Sequence, residues 1–367
     1  MSTLFTTLKI RDVELPNRLL RSATWEGMAE DNGRVTDRLL DLYRDLAKGG
    51  VGLVITGYMY ISPEGKGLPR QIGIHDDEYV AGLAQLADIV HEHGGRVIVQ
   101  VVHAGGQTNK GISGHDDVVA PSAVPYRSHG VTPRALTTGE VEALVEAHAR
   151  AVTRAVRAGF DGVQIHAAHG YLVNRFLSPA YNLRDDRYGG DPEARAQFGV
   201  EVIRAAREAI GPGRILSVKL SSDDFEDGGL DIEGAVVAAR LFAAAGADHI
   251  EVSGGTPMSG GRGAVRSGIE RPEDEAYFKA NATRIKHEVG DLPVGVVGGV
   301  RSFEVAEDLV TSGEVDTVSL CRPLICEPDL PRRWASGDRA KARCTSDSKC
   351  FGLGIKKGIH CAVYQRG

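Results

Sequence analysis

The feature that most constrains the fold is a series of eight short apolar segments separated by longer segments with helical periodicity. The apolar segments are rich in Val, Ile and Leu, which is typical of parallel strands covered on both faces. They comprise residues 18–24, 51–57, 96–103, 162–169, 215–222, 249–254, 293–299 and 316–321.

The intervening segments repeat apolar residues at helical spacing. In residues 36–49, Leu39, Leu42 and Leu46 share one face, with Thr36 as a candidate N-cap and Gly49 as a stop. Eight strand–helix units in series predict a closed, single-domain α/β fold, the (β/α)8 TIM barrel, rather than an open doubly wound sheet.

The barrel is predicted over residues 1–340, followed by a C-terminal tail over residues 341–367. The extra length lies mainly in residues 104–136 and 255–272, which follow the third and sixth strands. Both insertions therefore lie at the carboxyl ends of strands, where the active sites of such barrels form.

Charge and hydropathy exclude several classes of partner. The net charge is −6 and no block of Lys and Arg is present, which argues against nucleic acid and anionic membranes. No run of about 18 apolar residues and no signal-like N-terminus occurs, so a cytoplasmic location is expected. The five cysteines are odd in number and lie near the C-terminus, unlike a secreted disulfide framework.

Polar residues at the predicted strand ends are candidates for chemistry, because each buried polar atom without a partner costs about 1–3 kcal/mol. His166 and His169 would point to opposite faces of a continuing strand, but a turn at Ala167–Ala168 would let both reach one ligand oxygen. Tyr171 follows on the loop. Two imidazoles suit a developing oxyanion, and a phenol suits proton donation. Zinc binding by His-x-x-His is less favoured, since no carboxylate lies among the nearest strand-end residues.

Lys219, within the fifth apolar segment, is expected to project toward the barrel centre. From the residues alone, three roles remain open: a Schiff-base nucleophile, a fixed cation beside an anionic cofactor, or a structural ion pair. Gly298 and Gly299 after the seventh strand, with Arg322 after the eighth, indicate a phosphate site. A phosphorylated substrate or a flavin mononucleotide would satisfy it.

The segment HAAHGYLVNRFLSPAYNLRDDRYGG, residues 166–190, resembles the signature of the Old Yellow Enzyme family of flavin-dependent ene-reductases. Further matches in register are LPNRLLRSATWEGMA, VITGYMYISPEG, VQVVHAGG, VKLSSDDF, VVGGVRS and SLCRPLICEPDLPRRW. The resemblance covers roughly residues 4–336.

This resemblance implies one FMN, bound non-covalently at the carboxyl ends of the strands, and assigns Lys219 to the flavin N1/O2 region as a fixed cation. The implied cofactor-binding residues are Ser22, Ala23, Thr24, Trp25, Gly57, Gln100, Lys219, Gly298, Gly299, Cys321 and Arg322.

The resemblance also implies a ping-pong reaction. NADH or NADPH gives a hydride to flavin N5, and N5 passes it to the β-carbon of an α,β-unsaturated carbonyl compound. His166 and His169 would hold the carbonyl oxygen, and Tyr171 would protonate the α-carbon. No metal is expected in this chemistry.

Two departures from the family pattern stand out. Trp25 occupies a place where relatives often have Thr, Cys or His, and we expect it to narrow the pocket. Longer relatives carry further domains and a [4Fe–4S] cluster after the barrel, for which this chain is too short. In the tail, Asp347 stands where a middle Cys is expected, so we expect no iron–sulfur cluster.

Two other functions remain open from the sequence alone. A flavin enzyme of the same fold could dehydrogenate or demethylate amines, and a barrel aldolase could use Lys219 on a phosphorylated substrate. The expected partners are a small-molecule substrate and further copies of the chain, as a homodimer or higher homo-oligomer.

Overall fold

The computed structural model describes residues 2–126 and 130–364. Eight parallel strands close into a barrel with helices between them, which confirms the predicted fold. The barrel strands are β1 (Leu19–Arg21), β2 (Leu53–Ile55), β3 (Val97–Val102), β4 (Gly162–Ala167), β5 (Ile215–Ser221), β6 (His249–Ser253), β7 (Val294–Val297) and β8 (Thr317–Leu320).

Each strand pairs in parallel with the next, and β8 pairs with β1 to complete the ring. The register places Lys219 of β5 beside His166 of β4 and Glu251 of β6. Each observed strand lies within its predicted segment and is shorter, because the last polar residues of most segments belong to loops.

Nine helices receive labels here: α1 (Asp37–Lys48), α2 (Val80–His91), α3 (Thr138–Arg157), α4 (Pro192–Ile210), α5 (Ile232–Ala244), α6 (Lys279–Val289), α7 (Phe303–Thr311), α8 (Leu330–Ala335) and α9 (Lys349–Lys357). The predicted N-cap of α1 is confirmed, because Thr36 Oγ1 accepts a hydrogen bond from Leu39 N at 3.4 Å. At α3, Thr137 and Glu140 form a reciprocal capping box.

Shorter elements decorate the loops. They are the strands Leu8–Ile10, Val13–Leu15, Met59–Tyr60, Val119–Ala120 and Arg134–Ala135, the short helices Lys110–Ser113, Leu172–Leu177 and Arg322–Cys326, and single helical turns at Thr3–Phe5, Pro63–Gly65, Asp77–Tyr79, Gly260–Arg262 and Pro272–Asp274. The predicted insertion 104–136 and the predicted tail 341–367 both extend beyond the described residues, at 127–129 and 365–367.

The apolar core has two parts. The larger part fills the layer between the sheet and the surrounding helices. The smaller part lies inside the barrel, where Ile10 and Leu15 of the N-terminal hairpin pack against Leu20, Ile98 and Ile215. The hairpin therefore covers the amino-terminal end of the strands, and the carboxyl end is left for a site.

Residues 341–364 return across the carboxyl end of the barrel. Arg70 donates hydrogen bonds to the carbonyl oxygens of Gly354 and Ile355, both at 2.8 Å, near the end of α9. Arg38 donates to the carbonyl of Lys357 at 2.6 Å. These contacts satisfy carbonyl groups at a helix end with cations, which is favourable for a helix C-terminus.

Within the described residues, every helix is too short or too polar to cross a bilayer.

Candidate active site

A cavity of about 440 Å³ opens at the carboxyl end of the barrel, where its walls come from the loops after several strands. This volume lies within the range of about 300–1,000 Å³ that is usual for small-molecule sites. The predicted site residues that line it are Ser22, Ala23, Thr24, Trp25, His169, Tyr171, Lys219, Gly298, Gly299, Cys321 and Arg322.

The predicted turn after β4 brings the two imidazoles together. The strand ends at Ala167, and His169 adopts a left-handed backbone conformation with φ of +60°. Ser221 Oγ accepts the His169 backbone N–H at 3.0 Å, and His169 Nε2 lies 2.7 Å from Ser253 Oγ. The ring centres of His166 and His169 are 5.3 Å apart. Neighbouring strands thus hold His169 in an otherwise unfavourable backbone conformation.

Both imidazoles are held neutral by their surroundings. Burial and the positive charge of Lys219 lower the pKa of His169 to about 3. Burial, with further contributions from His169 and Lys219, lowers the pKa of His166 well below its usual value. His166 itself lies behind the cavity wall, and its buried Nδ1 has no hydrogen-bond partner. Neutral imidazoles can donate a hydrogen bond to an oxyanion without adding a full charge.

Tyr171 lies next to these rings, 4.8 Å from the ring centre of His166. Its hydroxyl donates a hydrogen bond to the hydroxyl of Tyr58 at 3.2 Å. Burial raises the pKa of Tyr171, although the contact with Tyr58 opposes this shift. The phenol therefore stays protonated and can serve as a proton donor.

Lys219 lies inside the barrel and is 3% exposed. Its ammonium donates to Ser22 Oγ at 2.7 Å and lies 3.1 Å from the carboxylate of Glu251, which is fully buried. Burial opposes ionisation of Glu251, but the charge of Lys219 and the neighbouring hydrogen-bond donors together outweigh it and lower the pKa of the carboxyl group. Lys219 is thus held by an ion pair beside the cavity rather than free to attack a carbonyl carbon.

Besides His166, two predicted residues, Gly57 and Gln100, lie outside the cavity lining. The N–H of Gly57 donates to Glu26 and to the hydroxyl of Tyr43, both at 2.9 Å. The side chain of Gln100 donates to Gln164 at 2.6 Å, and its buried Oε1 has no partner. Their proposed contacts with a flavin ring stay predictions.

The part of the cavity lined by Arg301 and Arg322 is cationic. Arg322 reaches the tail, where it donates to Ser348 Oγ at 2.8 Å and to the carbonyl of Ser346 at 3.4 Å. Thr24 Oγ1 lies 3.1 Å from Cys321 Sγ. A side chain at Gly299 would meet the ring of Tyr277, so only glycine leaves room for the ring and a bound group.

Trp25 forms one wall and is 3% exposed, with its indole N–H donating to the carbonyl of Pro69 at 3.1 Å. Its ring lies 5.4 Å from that of Phe351, which also lines the cavity although it belongs to α9. The expectation that Trp25 narrows the cavity agrees with this contact.

Sequence reasoning missed several residues in and around this site, among them Tyr58, Glu251, Tyr277 and Phe351. Tyr58 directly follows a predicted strand, and Glu251 is a single acid inside an apolar segment. Both could therefore have been recognised from the sequence as candidate site residues. Tyr277 and Phe351 come from a loop and the tail, where no local pattern marks them.

The tail shows no metal centre within the described residues, in which no group of three or more His, Cys, Asp or Glu side chains is arranged for a metal ion. Asp347 instead accepts a hydrogen bond from the backbone N–H of Lys349 at 3.1 Å, at the start of α9. Burial and the neighbouring thiol of Cys361 raise the pKa of Cys326 to about 12.

Buried histidines elsewhere in the barrel predict a pH-dependent stability. Burial lowers the pKa of both His148 and His249 to about 4, whereas an unfolded chain binds these protons near pH 6.5. Because the unfolded state then binds more protons, the free energy of unfolding should fall as pH drops from 6.5 toward 4, by on the order of 1 kcal/mol per histidine for the first unit.

Urea denaturation at pH 7, 6 and 5 measures this slope. His249→Gln, which keeps a polar group between Ser217 and Thr317, should reduce it. Equal slopes for the variant and the parent protein over this range would contradict the assignment.

Comparison with known proteins gives a consistent result. The family model described as "NADH:flavin oxidoreductase / NADH oxidase family" matches residues 3–341. The chain is 35% identical to an NADH oxidase of Thermoanaerobacter brockii over 96% of its own length, and 35% identical to an NADPH dehydrogenase of Geobacillus sp. (strain WCH70) over 89%. It covers 53% of the first relative and 92% of the second.

Among solved structures, an Old Yellow Enzyme homologue from Zymomonas mobilis is similar, with a TM-score of 0.79 and 27% identity. That match covers 94% of this chain and 96% of the other. The chain spans about half the length of the first curated relatives that it matches.

Proposed function

Because this chain belongs to the NADH:flavin oxidoreductase / NADH oxidase family, we propose that it is an ene-reductase that acts on α,β-unsaturated carbonyl compounds. FMN is the cofactor of this family, and a reduced nicotinamide is its reductant. Bound FMN supplies a carrier that takes up hydride from NADH or NADPH and releases it to an acceptor. The aldolase alternative does not agree with membership in this family.

The residues present fit FMN. Ser319 Oγ and Arg301 Nε are buried without partners on residues that line the cavity, and both can donate to polar groups of a ligand. Lys219 would offset negative charge on the ring, and Arg322 would bind the phosphate. The proposed ring contacts come from Ser22 to Trp25.

The observation that carries the proposal is the group formed by His166, His169 and Tyr171. The neutral imidazole of His169, which lines the cavity, would bind the carbonyl oxygen of the substrate and stabilise charge on it as the double bond is reduced. A second contact from His166, whose ring lies beside that of His169, stays a prediction. The phenol of Tyr171 would deliver a proton to the α-carbon. Trp25 and Phe351 would exclude water from this end of the cavity.

The charge of the cavity favours an enone over an amine substrate. None of the described residues that line the cavity is an Asp or Glu, while Lys219, Arg301 and Arg322 all lie on its walls. A substrate that carries an ammonium group would therefore find no carboxylate on these walls to bind it. This supports a carbonyl acceptor against an amine dehydrogenase or N-demethylase.

Anaerobic turnover tests the proposal directly. Without an acceptor, purified protein loaded with FMN should oxidise at most about one equivalent of NADPH or NADH. With 2-cyclohexenone it should turn over continuously, and cyclohexanone should be the product. If a nicotinamide reduces the flavin but no enone reoxidises it, the ene-reductase proposal is wrong and another acceptor must be sought.

A homodimer or higher homo-oligomer stays a prediction, which sedimentation equilibrium would test.

Arg322→Ala should weaken FMN binding by about 10- to 100-fold, because a charge-assisted contact to the phosphate contributes roughly 1.5–3 kcal/mol. Quenching of FMN fluorescence on binding gives the dissociation constant. Arg332→Ala, on the exposed part of α8, is the control and should bind FMN like the parent protein. Equal affinities for the two variants would remove Arg322 from the phosphate site.

A further inference from the structure

A second cavity, of about 430 Å³, lies between helix α3 and the loops that follow β2 and β3. We refer to it as the α3 cavity. It is as large as the active-site cavity and shares no lining residue with it. Its floor is apolar and comprises Ile61, Val119, Leu136, Leu144 and Ala147.

The wall opposite the floor presents a buried hydrogen-bond donor. The backbone N–H of Gly105 donates to His103 Nδ1 at 3.0 Å, so the proton of the neutral imidazole lies on Nε2. This Nε2 is buried and has no hydrogen-bond partner. Glu64 Oε1 lies 3.7 Å from it, which is beyond hydrogen-bond distance.

Two further unpartnered atoms belong to the same cavity. Ser62 Oγ and His75 Nδ1 are buried without partners, like His103 Nε2. The described residues contain eleven such side-chain atoms, so three of them lie on residues around this one cavity. Each costs about 1–3 kcal/mol while it stays unpaired, which is what a site for a polar ligand group requires.

Glu64 adds an acceptor. Although burial opposes ionisation, the nearby polar side chains of His103 and Ser62 lower the pKa of Glu64 to about 2. No described Lys or Arg lies within ion-pair distance of this carboxylate. Arg134, at the rim, is already paired with Asp117 at 2.8 Å and Glu140 at 2.9 Å.

These groups discriminate between classes of ligand. A carboxylate or phosphate would be repelled by Glu64, and an ammonium group has no lone pair for His103 Nε2–H. A plain hydrocarbon would leave both groups unpaired. A neutral hydroxyl both accepts and donates, so its single oxygen can bridge the 3.7 Å gap between His103 and Glu64.

We propose that the α3 cavity is a second small-molecule site, selective for a neutral hydroxyl compound whose apolar body packs on α3. The loop of residues 62–67 separates this site from the active-site cavity. A side chain at Gly67 would contact Ala104 and the ring of Tyr171, so the loop that carries Glu64 also packs against the candidate proton donor.

Binding of a matched series of probes to the FMN-loaded protein tests the proposal: benzyl alcohol, benzylamine, benzoate and benzyl methyl ether. Calorimetry should show benzyl alcohol bound at least about tenfold more tightly than the other three, since one lost hydrogen bond is worth roughly 1.4 kcal/mol. Ala147→Phe, which fills the floor, should reduce this affinity about tenfold or more. Glu146→Phe adds the same ring on the exposed face of α3 and should have no effect.

Glu64→Leu provides a second variant. It keeps a side chain of similar size but removes the acceptor for the hydroxyl group, so it should abolish the preference for benzyl alcohol over benzyl methyl ether. A crystal soaked in benzyl alcohol should show its oxygen between His103 and Glu64. Unchanged affinity in Ala147→Phe, equal binding of the ether or the amine, or ordered water alone in the soaked crystal would each overturn the proposal. Turnover of enones is a separate measurement, so failure here leaves the proposed function intact.

Discussion

Tyr171→Phe is expected to slow the reduction of an enone by about 10²- to 10⁴-fold, the range that a positioned proton donor contributes. Reduction of the flavin by NADPH should stay nearly unchanged, because no proton from Tyr171 is needed in that step. The ring is retained, so contacts with His166 and Tyr58 persist without the hydroxyl. Anaerobic stopped-flow spectroscopy measures the two half-reactions separately.

Tyr58→Phe is the matched control for this experiment. It removes the hydroxyl that accepts the hydrogen bond from Tyr171 but leaves the Tyr171 phenol itself. We expect a smaller loss in the enone half-reaction and no loss in flavin reduction. If Tyr171→Phe slows both half-reactions equally, Tyr171 positions the ring system and is not the proton donor.

Lys219→Met is expected to destabilise the FMN-free protein by about 3–5 kcal/mol, because it leaves the fully buried carboxylate of Glu251 without its cation. Denaturation in urea at pH 7 measures the loss. The free energy of unfolding should recover in the double variant Lys219→Met/Glu251→Leu, since replacing both ions by apolar groups removes the uncompensated charge.

The ion pair between Lys219 and Glu251 also leads to a prediction for the affinity of the single and double variants for FMN. Both the single and the double variant lack the ammonium group, so both should bind FMN more weakly even where the fold is restored. A double variant that binds FMN like the parent protein would show that Lys219 serves the fold alone. A single variant as stable as the parent protein would contradict the buried ion pair.

The barrel could be predicted from the sequence because its signal is local and repeated. Segments such as 96–103 and 215–222 are continuous in Val, Ile and Leu, and nothing but a covered parallel strand explains eight of them in series. The turn after β4 could be anticipated because His166 and His169 only meet if the strand ends between them. The left-handed conformation of His169 had no such signal, since it depends on contacts with Ser221 and Ser253 in other strands.

What could not be predicted depends on packing between distant parts of the chain. Lys219 was expected at the barrel centre, and the residues alone left three roles open for it; its ion pair with Glu251 could not be predicted because it depends on the neighbouring strand. Gly57 gave a strand-end signal, yet its N–H is already bonded to Glu26 and Tyr43. Phe351 reaches the active-site cavity only because the tail folds back on Trp25, a contact across more than 300 residues.

The position of α9 has a consequence for how this protein can be altered. A variant shortened after residue 340 keeps every barrel strand, but it loses the core side chain of Ala342, the wall that Phe351 contributes and the hydrogen bonds that Arg70 and Arg38 donate to α9. The tail therefore contributes both to the cavity wall and to the packing of the barrel. Replacing Phe351 by a smaller residue is expected to widen the cavity for bulkier acceptors at less cost to folding than removal of the tail, because its side chain is already 47% exposed.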